Sequence, residues 1–293
     1  MGLVEAYKRI SVRVFGWVSR EHPEYFIPLK PHLMGANICI LLDTWVAMIF
    51  MSAIIAYFAS LAAVLALSEI VLFDLMTFIY LVVFLPVMTA SIAFLFFYLY
   101  PVQKSSKIRN SIDKNLPFAL SHMAAIASSG IPPEFMFEML TSFKEYGDVS
   151  KQSGLIVRNI KTFGMSSVNA IEEVAKRTPS PSFKQILSGI KSIIEKGGNL
   201  TDYLQEMSAR AMFEYRMKRE NYLKTLSTYA DVYAAVLISA PLMMIVVLGV
   251  MSVIGGDVMG MAATDLIFLM TWLLIPLMNI VFIAFLHVTY PGS

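Results

Sequence analysis

Long uncharged runs alternate with a long polar run along this chain. Thr44 to Ser68 holds no charged residue, and neither does Leu75 to Gln103. A polar block from Val102 to Asp231 follows, and then Val232 to Gly256 and Leu266 to Tyr290 are again uncharged. As a helix, the first run alone extends roughly 37 Å, against a hydrocarbon core of ~30 Å. The pattern therefore predicts an all-α, polytopic membrane protein with four transmembrane helices. They form two hairpins, over 44–103 and 232–293, with a polar domain over 104–231 between them and a charged segment over 1–43 before them. Pro86, Pro241 and Pro276 lie inside the second, third and fourth runs. A proline removes a backbone hydrogen bond and bends its helix, so each is expected to kink a span.

The polar block reads as helical throughout. Phe183, Ile186, Leu187, Ile190, Ile193 and Ile194 recur at helical spacing, and Leu200, Leu204, Met207, Ala211, Tyr215, Tyr222 and Leu226 form another apolar stripe. Ser180 before Pro181 is an N-cap followed by proline at the first helical position. Asn199 stands three residues before Asp202 in capping-box spacing. Further helices are expected over 116–129, 133–144, 150–163 and 167–177. Gly130, Gly164 and Gly198 separate helices, where a left-handed C-terminal cap favours a residue without Cβ.

These glycines recur every 34 residues. Ile126, Ile160 and Ile194 stand four residues before them, and Glu138, Glu172 and Glu206 eight residues after. A helix–glycine–helix unit used three times gives a cytoplasmic six-helix bundle between the second and third spans. The period also matches tetratricopeptide repeats, whose Trp-Leu-Gly-Tyr signature is missing here. The recurring glutamates suit either an acidic docking edge or a solvated, dipole-favoured face. Arg216, Lys218, Arg219 and Lys224 suit a partner or anionic-lipid contact, or an orientation signal for the third span.

Charge fixes the expected orientation. Of 23 Lys and Arg residues, 18 lie in the polar block and five before Asp43. Placing one at a bilayer centre costs roughly 2.5–3.5 kcal/mol, and cationic flanks stay cytoplasmic. The short connections carry only acids, Glu69 and Asp74 in one, Asp257 and Asp265 in the other, and are expected outside. Both termini and the polar block are expected inside, in the cytoplasmic membrane. In the first 43 residues, Lys8, Arg9, Arg13, Arg20 and Lys30 alternate with Val4, Tyr7, Ile10, Val14, Phe15 and Val18. That spacing fits a helix lying on the membrane surface and equally a solvated helix packed on the protein. Pro23, Pro28 and Pro31 then interrupt the chain, and a short helix is expected from Leu33 through Leu42. The segment has no cleavable-signal pattern.

Composition narrows the chemistry. Hydrophobic residues make up 57% of the 293 and charged residues 15%, too apolar for an ordinary soluble domain. A net charge of +2 points to no nucleic-acid partner. The one cysteine, Cys39, reads as a small apolar residue and supports neither a disulfide framework nor a thiolate metal site. His22, His32, His122 and His287 are scattered, and no phosphate-binding glycine loop or nucleophile motif occurs. No catalytic group, cofactor or metal is expected. A transporter subunit is the alternative function, opposed by spans without Asp, Glu, Lys or Arg.

Four segments carry a family resemblance: Asn115-Leu-Pro-Phe-Ala, Ser129-Gly-Ile-Pro-Pro, Thr162-Phe-Gly-Met-Ser-Ser and Gly197-Gly-Asn-Leu-Thr-Asp-Tyr-Leu. In order and spacing they resemble the type II secretion system F-domain family, closely over about 102–225. These are inner-membrane platform proteins of type IV pili, type II secretion, Tad systems and archaeal filaments. The resemblance implies a non-enzymatic platform that couples a hexameric cytoplasmic ATPase to pilin insertion or extraction. It also implies pairing with a second copy or sister subunit, because the chain carries one F domain where longer members carry two. Glu138, Glu172, Glu206, Arg216, Lys218 and Arg219 are the candidate partner contacts, and Pro86, Pro241 and Pro276 the candidate bends along which pilin helices slide.

Overall fold

A computed structural model describes residues 3–21, 23–38, 40–68, 74–255, 257–258 and 261–289. His22, Cys39 and Glu69 lie outside them. Among the described residues the chain is helical apart from turns and one two-residue antiparallel pairing, β1 (Asp257–Val258) with β2 (Met261–Ala262). Four helical segments are long and apolar enough to cross a membrane: Leu42–Ser68, Met76–Ser128, Leu200–Ile254 and Ala263–His287. The chain divides into two compact units, Met1–Met212 and Phe213–Ser293.

The first unit begins with α1 (Leu3–Glu21), α2 (Pro23–Phe26) and α3 (Leu29–Gly35). Pro23 opens α2 and Pro28 precedes α3, positions where a missing N–H costs nothing. The expected helix over 33–42 stops at Gly35, because Asn37 takes a left-handed conformation (φ 56°) that ends it. A Cβ on Gly35 would stand 2.7 Å from Ser105 Oγ and 2.9 Å from Pro179 Cβ, so the segment is pressed against the polar block. The first span, α4 (Leu42–Ser68), packs along α5 (Leu75–Ser128). Leu29, Leu33, Trp45 and Ile49 form a small core closed by Phe94, Phe97, Tyr98 and Val102 of α5. Thr89 on α5 lies 2.8 Å from Ser60 Oγ on α4, a polar tie of the kind that joins helices in lipid.

The 54-residue α5 does not stop at the membrane edge. It carries the second span straight into the polar block, through Pro86, Pro101 and Pro117. The block continues with α6 (Pro133–Ser142), a 3-10 turn (Lys144–Tyr146), α7 (Asp148–Lys161), α8 (Ser167–Arg177), α9 (Pro181–Lys196) and α10 (Leu200–Tyr233). Its core is one buried cluster: Ile112, Leu120 and Met123 from α5 meet Phe137, Ile156, Ile171, Phe183, Leu187 and Leu204 of the helices that follow. Ser180 Oγ accepts from Phe183 N at 3.1 Å and itself donates to Asp113 Oδ1, so the α9 cap also ties that helix to α5. Asn199 Oδ1 accepts from Thr201 N and Asp202 N at the start of α10.

The second unit comprises the rest of α10, a π-helical turn (Ala234–Ser239), α11 (Ala240–Ile254), the β1–β2 connection, α12 (Ala263–Leu269), a second π-helical turn (Met270–Leu274) and α13 (Ile275–Thr289). Tyr229 and Tyr233 pack edge-on or tilted against Phe285 and Phe282 of α13.

Candidate functional site

Three features invite a functional reading: the repeated turns with their glutamates, the cations of α10, and the prolines of the spans. The repeat is visible in the backbone but not in uniform register. Gly130 (φ 75°) and Gly164 (φ 65°) are left-handed. In the third unit the left-handed residue is Gly197 (φ 70°), not Gly198. Gly197 caps α9, and Gly198 N donates back to Ile193 O at 3.0 Å. That bond is the six-residue closure of a Schellman motif, which places the left-handed residue one position before the donor. Two consecutive glycines hide this register in the sequence.

The three glutamates differ in surroundings. Glu138 on α6 pairs with Lys161 on α7 at 2.5 Å. Glu172 on α8 pairs with Lys191 on α9 at 2.7 Å and with Lys176 at 2.6 Å. Hydrogen bonds from Lys176 and Lys191 hold the Glu172 carboxyl down at about 2, and the bond to Glu172 raises Lys191. Glu206 lies on α10, the last helix of the block, and among the described residues no ion pair reaches it. The first two thus bind their own helix to the next one in sequence, and the third has no next helix in the block to bind. Lys161 and Lys191, the other halves of these ties, carried no signal in the sequence because they stand outside the repeat. Beside the second tie, Lys184, Ser188 and Ser192 help line an open groove of about 450 Å³.

On α10, Arg216, Lys218 and Lys224 are exposed and have no carboxylate partner among the described residues. Arg219 Nη1 donates to the Tyr215 hydroxyl, Oη, at 3.4 Å. Charge left uncompensated within the chain is available to something else. No three His, Cys, Asp or Glu come together among the described residues in a way that would hold a metal.

The prolines behave in two ways. Pro86 sits in a helix that continues past it, and Thr89 Oγ1 lies 3.0 Å from the Pro86 carbonyl. Pro241 and Pro276 each follow a π-helical turn by two residues. A proline ring collides with the carbonyl four residues back, and the wider π turn relieves that contact. Tyr233, just before the first turn, donates to Asn279 Oδ1 at 3.1 Å, while Asn279 Nδ2 donates to Ile275 O at 2.9 Å. This bond joins the two helices of the hairpin beside both irregular turns. The sequence marks Asn279 only as a polar residue in an apolar run.

Residues 119–248 match the model of the family "Type II secretion system (T2SS), protein F". Over that segment, a little under half of its length, the chain is similar to the family. The match begins inside α5, later than the motifs alone suggested, and runs on through much of the third span. Among curated proteins, the chain is 24% identical over 196 residues to an uncharacterized protein of Methanocaldococcus jannaschii, covering 66% of this chain and 33% of that one. It is 21% identical over 141 residues to the flagella accessory protein J of the same organism, covering 48% of this chain and 25% of that one. The chain therefore matches only a third or less of the length of these relatives. No solved structure matches. With four helices long and apolar enough to cross a membrane and a match to the F-domain family, this is a multi-pass membrane protein.

Proposed function

We propose that the protein is the inner-membrane platform of a type IV filament or type II secretion-like assembly machine. The observation that carries this reading is the F-domain match, in a chain whose second span and first F-domain helix are the same helix, α5. A load applied to the polar block along α5 reaches the membrane through one continuous helix. In this role the platform relays force generated by a hexameric ATPase. The distribution of Lys and Arg supports a cytoplasmic polar block and cytoplasmic termini, in a cytoplasmic membrane.

In this reading the ATPase meets the exposed cations Arg216, Lys218 and Arg219, and Glu206, which has no ion-pair partner among the described residues, is a separate acidic contact. Glu138 and Glu172 contribute mainly by fixing helix pairs. Pilin helices pass along the spans, where Pro86, Pro241 and Pro276 shape the surface they meet. The F domain of this chain pairs with that of a second copy or a sister subunit. Co-purification tests the proposal: the full chain, extracted in mild detergent, is expected to retain a secretion-type ATPase and another platform subunit. Recovery of the chain with neither, from cells that are assembling filaments, would count against it.

A further inference from the structure

α1 is left over by the reading above. Its inner face packs on the first span: the Tyr7 hydroxyl donates to Met48 O at 3.2 Å, Ser11 is fully buried, and the Phe15 ring stacks at 6.1 Å on Phe50. Its outer face carries Ile10, Val14 and Trp17, spaced as one stripe and 51%, 48% and 58% exposed. Arg9 and Arg13 are exposed one position before Ile10 and Val14, so a cationic row runs beside the apolar one. For a helix in water such a stripe is a cost, and nothing in this chain covers it among the described residues.

The depth of α1 follows from the length of α4. That helix has 27 residues, while a ~30 Å hydrocarbon core takes about 20. Its far end, Ser68, is the last residue of the uncharged run and is taken as the opposite water boundary. Counting about 20 residues back from Ser68 brings the near hydrocarbon edge to the neighbourhood of Met48 and Phe50. These are the residues that Tyr7 and Phe15 touch. The stripe on α1 is thus at the level where acyl chains meet headgroups, with two guanidinium groups beside it and the lipid-facing surface of a span directly adjoining.

We propose that α1 is an in-plane membrane anchor: Ile10, Val14 and Trp17 enter the acyl boundary, and Arg9 and Arg13 bind the phosphates of anionic lipid headgroups. The apolar stripe supplies burial, and the arginines supply preference for an anionic leaflet. The proposal combines the two readings that the sequence left open for the segment. The helix is packed on the protein by one face and immersed in lipid by the other. It fixes the first hairpin at a set depth, independently of whatever the polar block binds.

The chain's three tryptophans allow a direct test. Full-length proteins retaining Trp17, Trp45 or Trp272 alone, with phenylalanine at the other two positions, are placed in nanodiscs of phosphatidylglycerol or phosphatidylcholine. Trp45, 6% exposed, calibrates a protein-covered ring, and Trp272, 71% exposed on a span, calibrates a lipid-facing one. Lipids brominated near the glycerol are expected to quench Trp17 emission by roughly half or more, with little quenching by aqueous acrylamide. In phosphatidylglycerol discs, Arg9→Gln with Arg13→Gln is expected to reduce that lipid quenching about twofold. Full access to acrylamide without lipid quenching would overturn the proposal by placing α1 in water. Shielding from both quenchers would overturn it by showing a protein cover, such as a second copy. Unchanged quenching in the double arginine variant would remove the headgroup contact. Should replacement of Trp45 disturb the fold, a nitroxide at Val14→Cys in a Cys39→Ser chain reads the same depth. Greater access to oxygen than to a water-soluble nickel chelate is expected, and the reverse would overturn the anchor.

Discussion

Glu138, Glu172 and Glu206 are equivalent in sequence and unequal in structure, and the inequality is testable residue by residue. Glu172 has the strongest internal ties, with a carboxyl lowered from 4.5 to about 2. A group whose folded value is depressed stabilises the fold above its unfolded value, and the contribution disappears as the pH falls through the folded one. Melting of the parent is therefore expected to approach that of Glu172→Gln as the pH is taken from above 4.5 towards 2, and to exceed it at neutral pH. Its exposure keeps the difference small. A gap that persists unchanged at low pH would remove the ion pair as its cause. The glycine register gives a sharper contrast. Gly197→Ala forces a left-handed alanine and is expected to cost about 1 kcal/mol. Gly198→Ala meets Ile193 Cγ2 at 3.4 Å and is expected to cost less. Denaturation or thermal melting of the two variants decides between them, and a larger loss at Gly198 would return the turn to the position the 34-residue period suggested. Gly189 is held by sterics instead of backbone angle. A Cβ there would overlap the Tyr203 hydroxyl, 2.0 Å away, so Gly189→Ala is expected to loosen α9 from α10, with about 1–3 kcal/mol lost by overpacking.

At the scale of elements, helix positions were readable because apolar periodicity and caps act locally. Ser180–Pro181 and Asn199–Asp202 mark helix starts in the sequence and cap them in the structure. Helix ends at the membrane were not readable. The change from Gln103 to Lys104 marks a change of solvent, and α5 crosses it without a break because a helix satisfies its own backbone in lipid and in water alike. The π turns were hidden for a similar reason, since a hydrogen bond one residue longer leaves no pattern in side chains. Only Pro241 and Pro276, two residues beyond each turn, hinted at them. The Tyr233–Asn279 bond next to these turns is expected to hold the hairpin with roughly 0.6 kcal/mol, a typical value for a polar contact between membrane helices. Tyr233→Phe and Asn279→Leu should each lose about that much, and the double variant no more than the larger single loss. Additive losses in a double-mutant cycle would show that the two side chains act independently.

At the scale of the whole molecule, the candidate partner surface was only partly legible. Charge segregation showed where cations lie, but not which ones the chain neutralises itself. Glu138 and Glu172 proved to be occupied, whereas Arg216, Lys218 and Lys224 are not paired among the described residues. Joint reversal of Arg216, Lys218 and Arg219 to glutamate is accordingly expected to weaken ATPase binding roughly tenfold or more, and most at low salt. The same surface should be indifferent to Glu138→Gln. The account stands or falls, though, on whether the protein is needed to build a filament. Deletion of its gene, with electron microscopy of the cell surface and of the secreted subunits, measures that directly. Loss of filaments, restored by the gene supplied in trans, is the predicted result; filaments of unchanged number and length in the deletion strain would contradict it.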